Sequence, residues 1–204
     1  MSTYQMKLGG HTLESAPAEA RPLLEAAQKQ IGMIPNMYAR MAQMPGLLST
    51  YLHGYELFRA QSGLTPVEQE VVLLTISREN GCEYCMAAHS MVGKAMSKVP
   101  PSVLDAVRAG APIADARLQA LAEFTKAMTN KRGNPTDADV APFLSAGFNE
   151  HQLLAVILAI GVKTLSNYAN HVFHTPVDAA FASFAWTKPV PAAACSTTGA
   201  ACHS

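Results

Sequence analysis

The chain has 204 residues, enough for one large domain or two small ones. Apolar residues make up 49% and charged residues only 15%, so a sizeable core is available and little charge remains to cover a surface. Fifteen basic residues balance fifteen acidic ones, and no basic cluster interleaved with aromatics occurs, which argues against a nucleic-acid partner.

The first residues carry Lys7 and then Gly9-Gly10-His11 instead of the apolar core of a secretory signal. Pro17 to Ile31 places Leu23, Leu24, Ala27 and Ile31 at helical spacing, and Gly32 and Ile34-Pro35 end it. Asn36 to Met44 reads as a short helix with Met37, Met41 and Met44 on one face, suited to core or interface packing or to lining an approach to a site. Pro45-Gly46 opens another helix, running to Ser62. Thr65-Pro66 starts the next, through Val67 to Ile76, and Asn80-Gly81 breaks it. Cys82 to Lys98 is expected to form one helix, with Ala and Met on the pattern and no proline.

Pro100-Pro101 begins a segment that ends at Gly110, and Asp115 to Asn130 is an amphipathic helix. Thr136 starts a short helix ending near Gly147. Asn149, with Gln152 three residues on, caps a long helix reaching toward His174. Its most apolar run, Leu153 to Val162, ends at Lys163 and is too short to span a bilayer. Beyond Trp186 the composition shifts to Pro, Ala and other small residues. Residues 1–188 are therefore expected to be one domain and 189–204 a flexible tail. Cys195, Cys202 and His203 in that tail could hold a soft metal or a third thiol, but a plain tail is the favoured reading. No segment demands a strand, so the predicted class is all-α, a bundle of about eight to ten helices around a central hairpin.

The chemistry concentrates in Glu70-x11-Cys82-Glu83-Tyr84-Cys85-x3-His89. Cys82, Cys85 and His89 fall at i, i+3 and i+7, one stripe of a helix. Glu70 can face that stripe if the two helices pack as a hairpin. A thiolate is the attacking species in thiol redox chemistry, and a helix N-terminus or an imidazolium lowers a thiol's pKa. The helix dipole favours Cys82 as the more acidic thiol, whereas His89 favours Cys85. Glu70 can hold His89 in one tautomer or pass a proton through water. Attack on a peroxide gives a sulfenic acid, which a neighbouring thiol resolves to a disulfide. Three other readings compete: a zinc site on Cys82, Cys85 and His89, which lacks a fourth ligand; an inert pair of core cysteines; and a thioredoxin motif, for which no βαβ pattern is present. His171 and His174, near the end of the long helix, could join a relay or bind a metal, although a structural role explains them. Glu79 and Glu83 are expected only to solvate a surface.

Leu64-Thr65-Pro66, Glu70 and Asn80-Gly81-Cys82-Glu83-Tyr84-Cys85-x3-His89 resemble the carboxymuconolactone decarboxylase superfamily, in its alkyl hydroperoxidase D-like branch and among the longer peroxidase-related proteins there. Ile34-Pro35-Asn36, Pro45-Gly46-Leu47-Leu48, Asn170-His171, Thr175-Pro176 and Phe184-Ala185-Trp186 are similar to that subgroup too. The likeness spans residues 10 to 190. It implies an all-helical, homo-oligomeric oxidoreductase that reduces peroxides through the cysteine pair. Cys85 would be the peroxidatic thiol, Cys82 the resolving one, and Glu70 with His89 the proton relay. The best-known branch has a histidine where this chain has Tyr84, whose phenol is a poor shuttle at neutral pH.

The expected function is thus an antioxidant thiol peroxidase acting on hydrogen peroxide or organic hydroperoxides. An external dithiol of lipoyl or thioredoxin type would recycle it in the cytoplasm, with no bound cofactor or metal, nucleic acid or membrane. The alternatives are decarboxylation or another proton transfer on a small organic acid through His89 and Glu70, and a redox- or metal-responsive binding module.

Overall fold

Prolines and capping side chains set most of the helix starts. The structure, a computed structural model, describes residues 3–189. Pro22 sits in the first turn of α1 (Arg21–Ile31), and α2 (Asn36–Met41) follows Pro35. Pro45, Pro66 and Pro101 open α3 (Pro45–Gln61), α4 (Pro66–Glu79) and α6 (Pro101–Ala109), where a missing N–H costs nothing. Thr65 and Glu68 close a capping box on α4, and Asp115 caps α7 (Ala116–Asn130). Capping boxes also start α8 (Asp137–Ser145) and α9 (Glu150–Phe173), the latter through Asn149 and Gln152 as the spacing predicts. A 3-10 turn, Ala179–Phe184, completes the described chain, and no strand occurs among the described residues. The all-α class and the helix count follow the sequence reading.

Three helices are shorter than expected: α1 starts at Arg21 and not Pro17, α2 stops at Met41 and not Met44, and α5 is cut at both ends. The motif helix α5 runs Glu83–Ala95, so Cys82 is its N-cap and not its first residue, and it stops before Lys98. The chain turns at Lys98 (φ 56), and the Val99 amide bonds back to Gly93 O at 2.8 Å. Gly93 makes this possible: a Cβ there would lie 3.3 Å from Val99 Cγ2 and 3.8 Å from Glu70 Cγ. Gly81 (φ 70) supplies the left-handed turn that folds α4 and α5 into the predicted hairpin.

Helix α4 lies at the centre and packs on α5, α6, α7 and α9. Every residue from Glu68 to Ser77 is buried, so α4 is enclosed on all sides. Two apolar clusters result. One joins α4 to α6, α7, α8 and the first half of α9, and holds Phe143 between Phe124 (4.3 Å) and Phe148 (4.7 Å). The other joins α1, α2, α3, the start of α5, the end of α9 and the 3-10 turn, and it contains both motif cysteines. Helix α9 has 24 residues, the long helix expected between Asn149 and His174, and as a whole it is long and apolar enough to cross a membrane by length and composition, although its most apolar run alone is not. Half of its apolar window is buried here against the other helices. Cys195, Cys202 and His203 lie outside the described residues, as does the predicted tail from residue 190 onward.

Because the clusters are distinct, damage to one should spare the other. Phe143→Ala is expected to cost about 3–5 kcal/mol in chemical denaturation. The alkylation rate of Cys85 in the folded protein should stay unchanged.

Candidate active site

Packing of the α4–α5 hairpin brings Glu70 against His89. The His89 Nδ1–H donates to Glu70 Oε2 at 3.0 Å, and both side chains are buried. The other carboxylate oxygen accepts from Arg59 of α3, and from Ser97 Oγ at 3.3 Å. Arg59 also donates to Tyr55 Oη at 2.6 Å and Gln69 Oε1 at 3.0 Å. Glu70 is thus the hub of three elements. Burial raises the pKa of Glu70, and the hydrogen bonds from His89 and Arg59 with the Arg59 charge outweigh it, so the carboxylate is held low. Burial lowers the pKa of His89, helped by the positive charge of Lys163 and opposed by Glu70. The imidazole is therefore neutral at pH 7, with its proton on Nδ1 and Nε2 free as an acceptor.

Cys82 and Cys85 are both buried free thiols. Asn170 Nδ2 of α9 lies 3.4 Å from Cys85 Sγ and 3.8 Å from Cys82 Sγ, and Ser166 Oγ is 3.9 Å from Cys85 Sγ. Burial pushes the Cys85 thiol up, but the hydrogen bond from Cys82 and the charge of Lys163 pull it well below the ordinary thiol range. Cys82 moves the other way: donation to Cys85 raises its pKa most, followed by burial and the Cys85 charge. The helix-dipole argument for Cys82 is thereby corrected. Its N-cap position does win a backbone bond that lowers its pKa, yet donation to Cys85 and burial dominate.

Lys163 is the residue that the sequence reading missed. Its side chain is fully buried, and its Nζ has no hydrogen-bond partner among the described residues. A buried ammonium needs compensation, and the Cys85 thiolate supplies it. The signal was present: Lys163, Ser166, Asn167 and Asn170 recur at i, i+3, i+4 and i+7 within an apolar helix, and all four are buried. The exposed side chains of α9 include Leu154, Ile157 and Tyr168, so its buried face beside the thiols is the more polar one.

Tyr84 does not occupy a relay. Its hydroxyl donates to Asp178 Oδ2 at 2.5 Å and accepts from the Met37 amide at 3.4 Å. Asp178 also accepts from the Asn36 amide at 3.1 Å, tying the 3-10 turn to the start of α2. Burial, and then the Asp178 carboxylate, raise the Tyr84 pKa far beyond the neutral range, so the phenol is a fixed clamp. Of the three methionines placed on one face, Met37 borders the site and Met41 is core, whereas Met44 is exposed. Glu79 is not merely a solvating charge, since it accepts from Arg78 (2.9 Å) and Asn130 (2.8 Å); Glu83 is exposed as expected. No group of metal-binding side chains assembles among the described residues.

Cys85, His89 and Lys163 border a cavity of about 490 Å³. Its other walls are largely aromatic and apolar, with Tyr38, Tyr51, Tyr55, Tyr84, Met91 and Phe181. Cys82 does not border it. Such a space admits an organic molecule next to an acidic thiol, a neutral imidazole and a buried cation. Replacing Lys163 by Met should remove the cation at nearly constant volume. The ionisation of Cys85, followed by ultraviolet thiolate absorbance and by the pH profile of alkylation, should then move upward. An unchanged profile would show that Lys163 does not act on the thiol.

The carboxymuconolactone decarboxylase family model matches residues 45–127, which hold α3 to α6, most of α7 and all four motif residues. Comparison with proteins of curated function finds no match. Among solved structures, the chain is similar to an alkylhydroperoxidase AhpD core, an uncharacterized peroxidase-related protein from Ralstonia eutropha JMP134. The identity is 21%, the TM-score 0.76, and the match covers 88% of this chain and 96% of that one. A peroxidase-related protein from Silicibacter sp. TM1040 matches at 24% identity and TM-score 0.70, with the same coverage of 88% and 96%. The debrominase Bmp8 matches at 15% identity and TM-score 0.71, again over 88% and 96%. The chain thus carries a segment, residues 45–127, that matches the carboxymuconolactone decarboxylase family, and it has the fold of the alkylhydroperoxidase AhpD core.

Proposed function

We propose that the protein is a thiol peroxidase in which Cys85 attacks an organic hydroperoxide. The observation that carries this reading is an acidic, cavity-facing Cys85 beside a neutral His89 and a second thiol. Cys85 thiolate attacks the terminal peroxide oxygen and the O–O bond breaks. His89 Nε2 takes the proton of that oxygen and returns it to the departing alkoxide, so thiolate plus ROOH gives sulfenate plus ROH. The Cys82 thiol then displaces the sulfenate oxygen, which leaves as water after taking up one proton, and a Cys82–Cys85 disulfide forms. Glu70 keeps His89 in the tautomer this needs. An external dithiol restores the pair, and a reducing compartment such as the cytoplasm suits such a cycle. The cavity is far larger than hydrogen peroxide requires, which supports organic hydroperoxides as the substrate class.

The same dithiol could instead reduce another electrophile. The large aromatic cavity supports this second reading, and a variant of the neighbouring debrominase Bmp8 is known with 2,3,4-tribromopyrrole bound. Bromide release from a brominated heteroaromatic, set against hydroperoxide consumption, separates the two. Turnover of an organic acid that survives replacement of both cysteines would point to proton-transfer chemistry.

Hydroperoxide consumption with a defined dithiol is the direct test. Cys82→Ser should abolish recycling and trap a sulfenate on Cys85, visible by mass spectrometry after dimedone labelling. A sulfenate on Cys82 in Cys85→Ser, with none on Cys85 in the converse variant, would reverse the roles. Glu70→Gln should slow hydroperoxide reduction by about 10²–10⁴-fold. It should also destabilise the fold by about 3–5 kcal/mol, because Arg59 loses its buried counter-charge. Rates are therefore to be compared per folded protein.

Homo-oligomerisation is part of this proposal. Leu154, Ile157 and Tyr168 form an exposed stripe on α9, an apolar face suited to a second copy. Sedimentation at micromolar concentration should show more than a monomer, and Ile157→Lys should shift it toward one.

A further inference from the structure

The two cysteines face different spaces. Cys85 borders the aromatic cavity, and Cys82 does not. Cys82 instead borders a second, polar cleft of about 300 Å³, together with Glu83, Asn170, His171, His174 and Thr175, and Cys85 is absent from it. Tyr84, clamped by Asp178, belongs to both walls and stands between them. Two polar atoms on residues of this cleft, Asn170 Oδ1 and Thr175 Oγ1, are buried with no partner among the described residues. Asn170 is only 4% exposed, and its Nδ2 already points at the sulfurs, so its acceptor is left for water or a bound group to satisfy.

We propose that this polar cleft is the reductant site, through which a thiol on a slender chain reaches Cys82 while the hydroperoxide uses the cavity at Cys85. The proposal rests on the thiol-redox reading above. In thiol–disulfide exchange the sulfur that can be reached is attacked, and the thiol with the lower pKa is the better leaving group. Both criteria select the same atom here. Only Cys82 borders the cleft, and attack on it expels Cys85, whose thiolate is stabilised by Lys163 and Asn170. The reductant thiolate bonds to Cys82 Sγ, the Cys82–Cys85 bond breaks, and its electron pair stays on Cys85. The second thiol of the reductant then attacks the reductant sulfur of the mixed disulfide. This closes the reductant's own disulfide and releases Cys82, which takes a proton from water. The dithiol loses two electrons and the protein disulfide gains them. Separate approaches let product leave one side while reductant binds the other.

The test uses the full-length chain with Cys195 and Cys202 replaced by Ser. Its disulfide is formed with diamide, so the experiment does not need peroxidase activity. Failure of the peroxidase reading would show separately, as no disulfide on addition of hydroperoxide. Brief treatment with cysteamine, acid quenching and tandem mass spectrometry should place the adduct on Cys82. Reduction by dithiothreitol should be slower by roughly tenfold or more in His171→Trp or Thr175→Leu, which fill the cleft from its rim and its wall. His171 is an exposed helix position, so that variant should fold. An adduct on Cys85, or unchanged reduction rates in both variants, would overturn the proposal.

Discussion

A carboxylate with no solvent exposure holds the site together. Glu70 cannot be buried as an ion without partners that answer its charge and its lone pairs. Arg59 comes from α3, His89 from α5, and Ser97 from the turn beyond α5, so one side chain fixes the relative placement of three segments. The close packing at Gly93 and the early end of α5 follow from the same need, because Ser97 must return to reach Glu70. The hydrogen bond from Nδ1 also decides which nitrogen of His89 stays free. The site's proton chemistry and its packing are therefore one arrangement.

A second buried charge lies on the other side of His89. Lys163 Nζ is buried with no hydrogen-bond partner among the described residues, and the sulfur of Cys85 is the negative group that answers it. The result is a division of labour between two chemically identical side chains. Cys85 carries the charge, and Cys82 donates to it. Lys163 also disfavours a second positive charge on His89, so the cation that activates the thiol helps keep the imidazole basic and unprotonated. Neither effect needs Tyr84, whose phenol is committed to Asp178 and serves to separate the two spaces beside the thiols.

Most of the architecture was legible locally. Proline, glycine and capping side chains marked the helix boundaries, and Asn80-Gly81 announced the hairpin that carries Cys82, Cys85 and His89. Those signals are short-range, so a window of a few residues contains them. The extent of α5 was not legible in this way. Nothing within Met96 to Lys98 forbids a helix; the break answers Glu70 and Gly93, which are brought there by folding.

By itself the sequence determined the all-helical class, the hairpin and the pairing of Glu70 with His89, because helical spacing and a tight turn leave few ways to arrange them. It also carried the polar repeat Lys163, Ser166, Asn167 and Asn170, but a repeat does not say which side faces inward. Only the tertiary structure decided that these four polar residues are buried against the thiols while Leu154, Ile157 and Tyr168 are exposed. It thereby also decided which cysteine is acidic. Charge compensation acts through space over a few ångströms, and Lys163 stands 78 residues from Cys85 in the chain (163 − 85), a separation that no local pattern bridges.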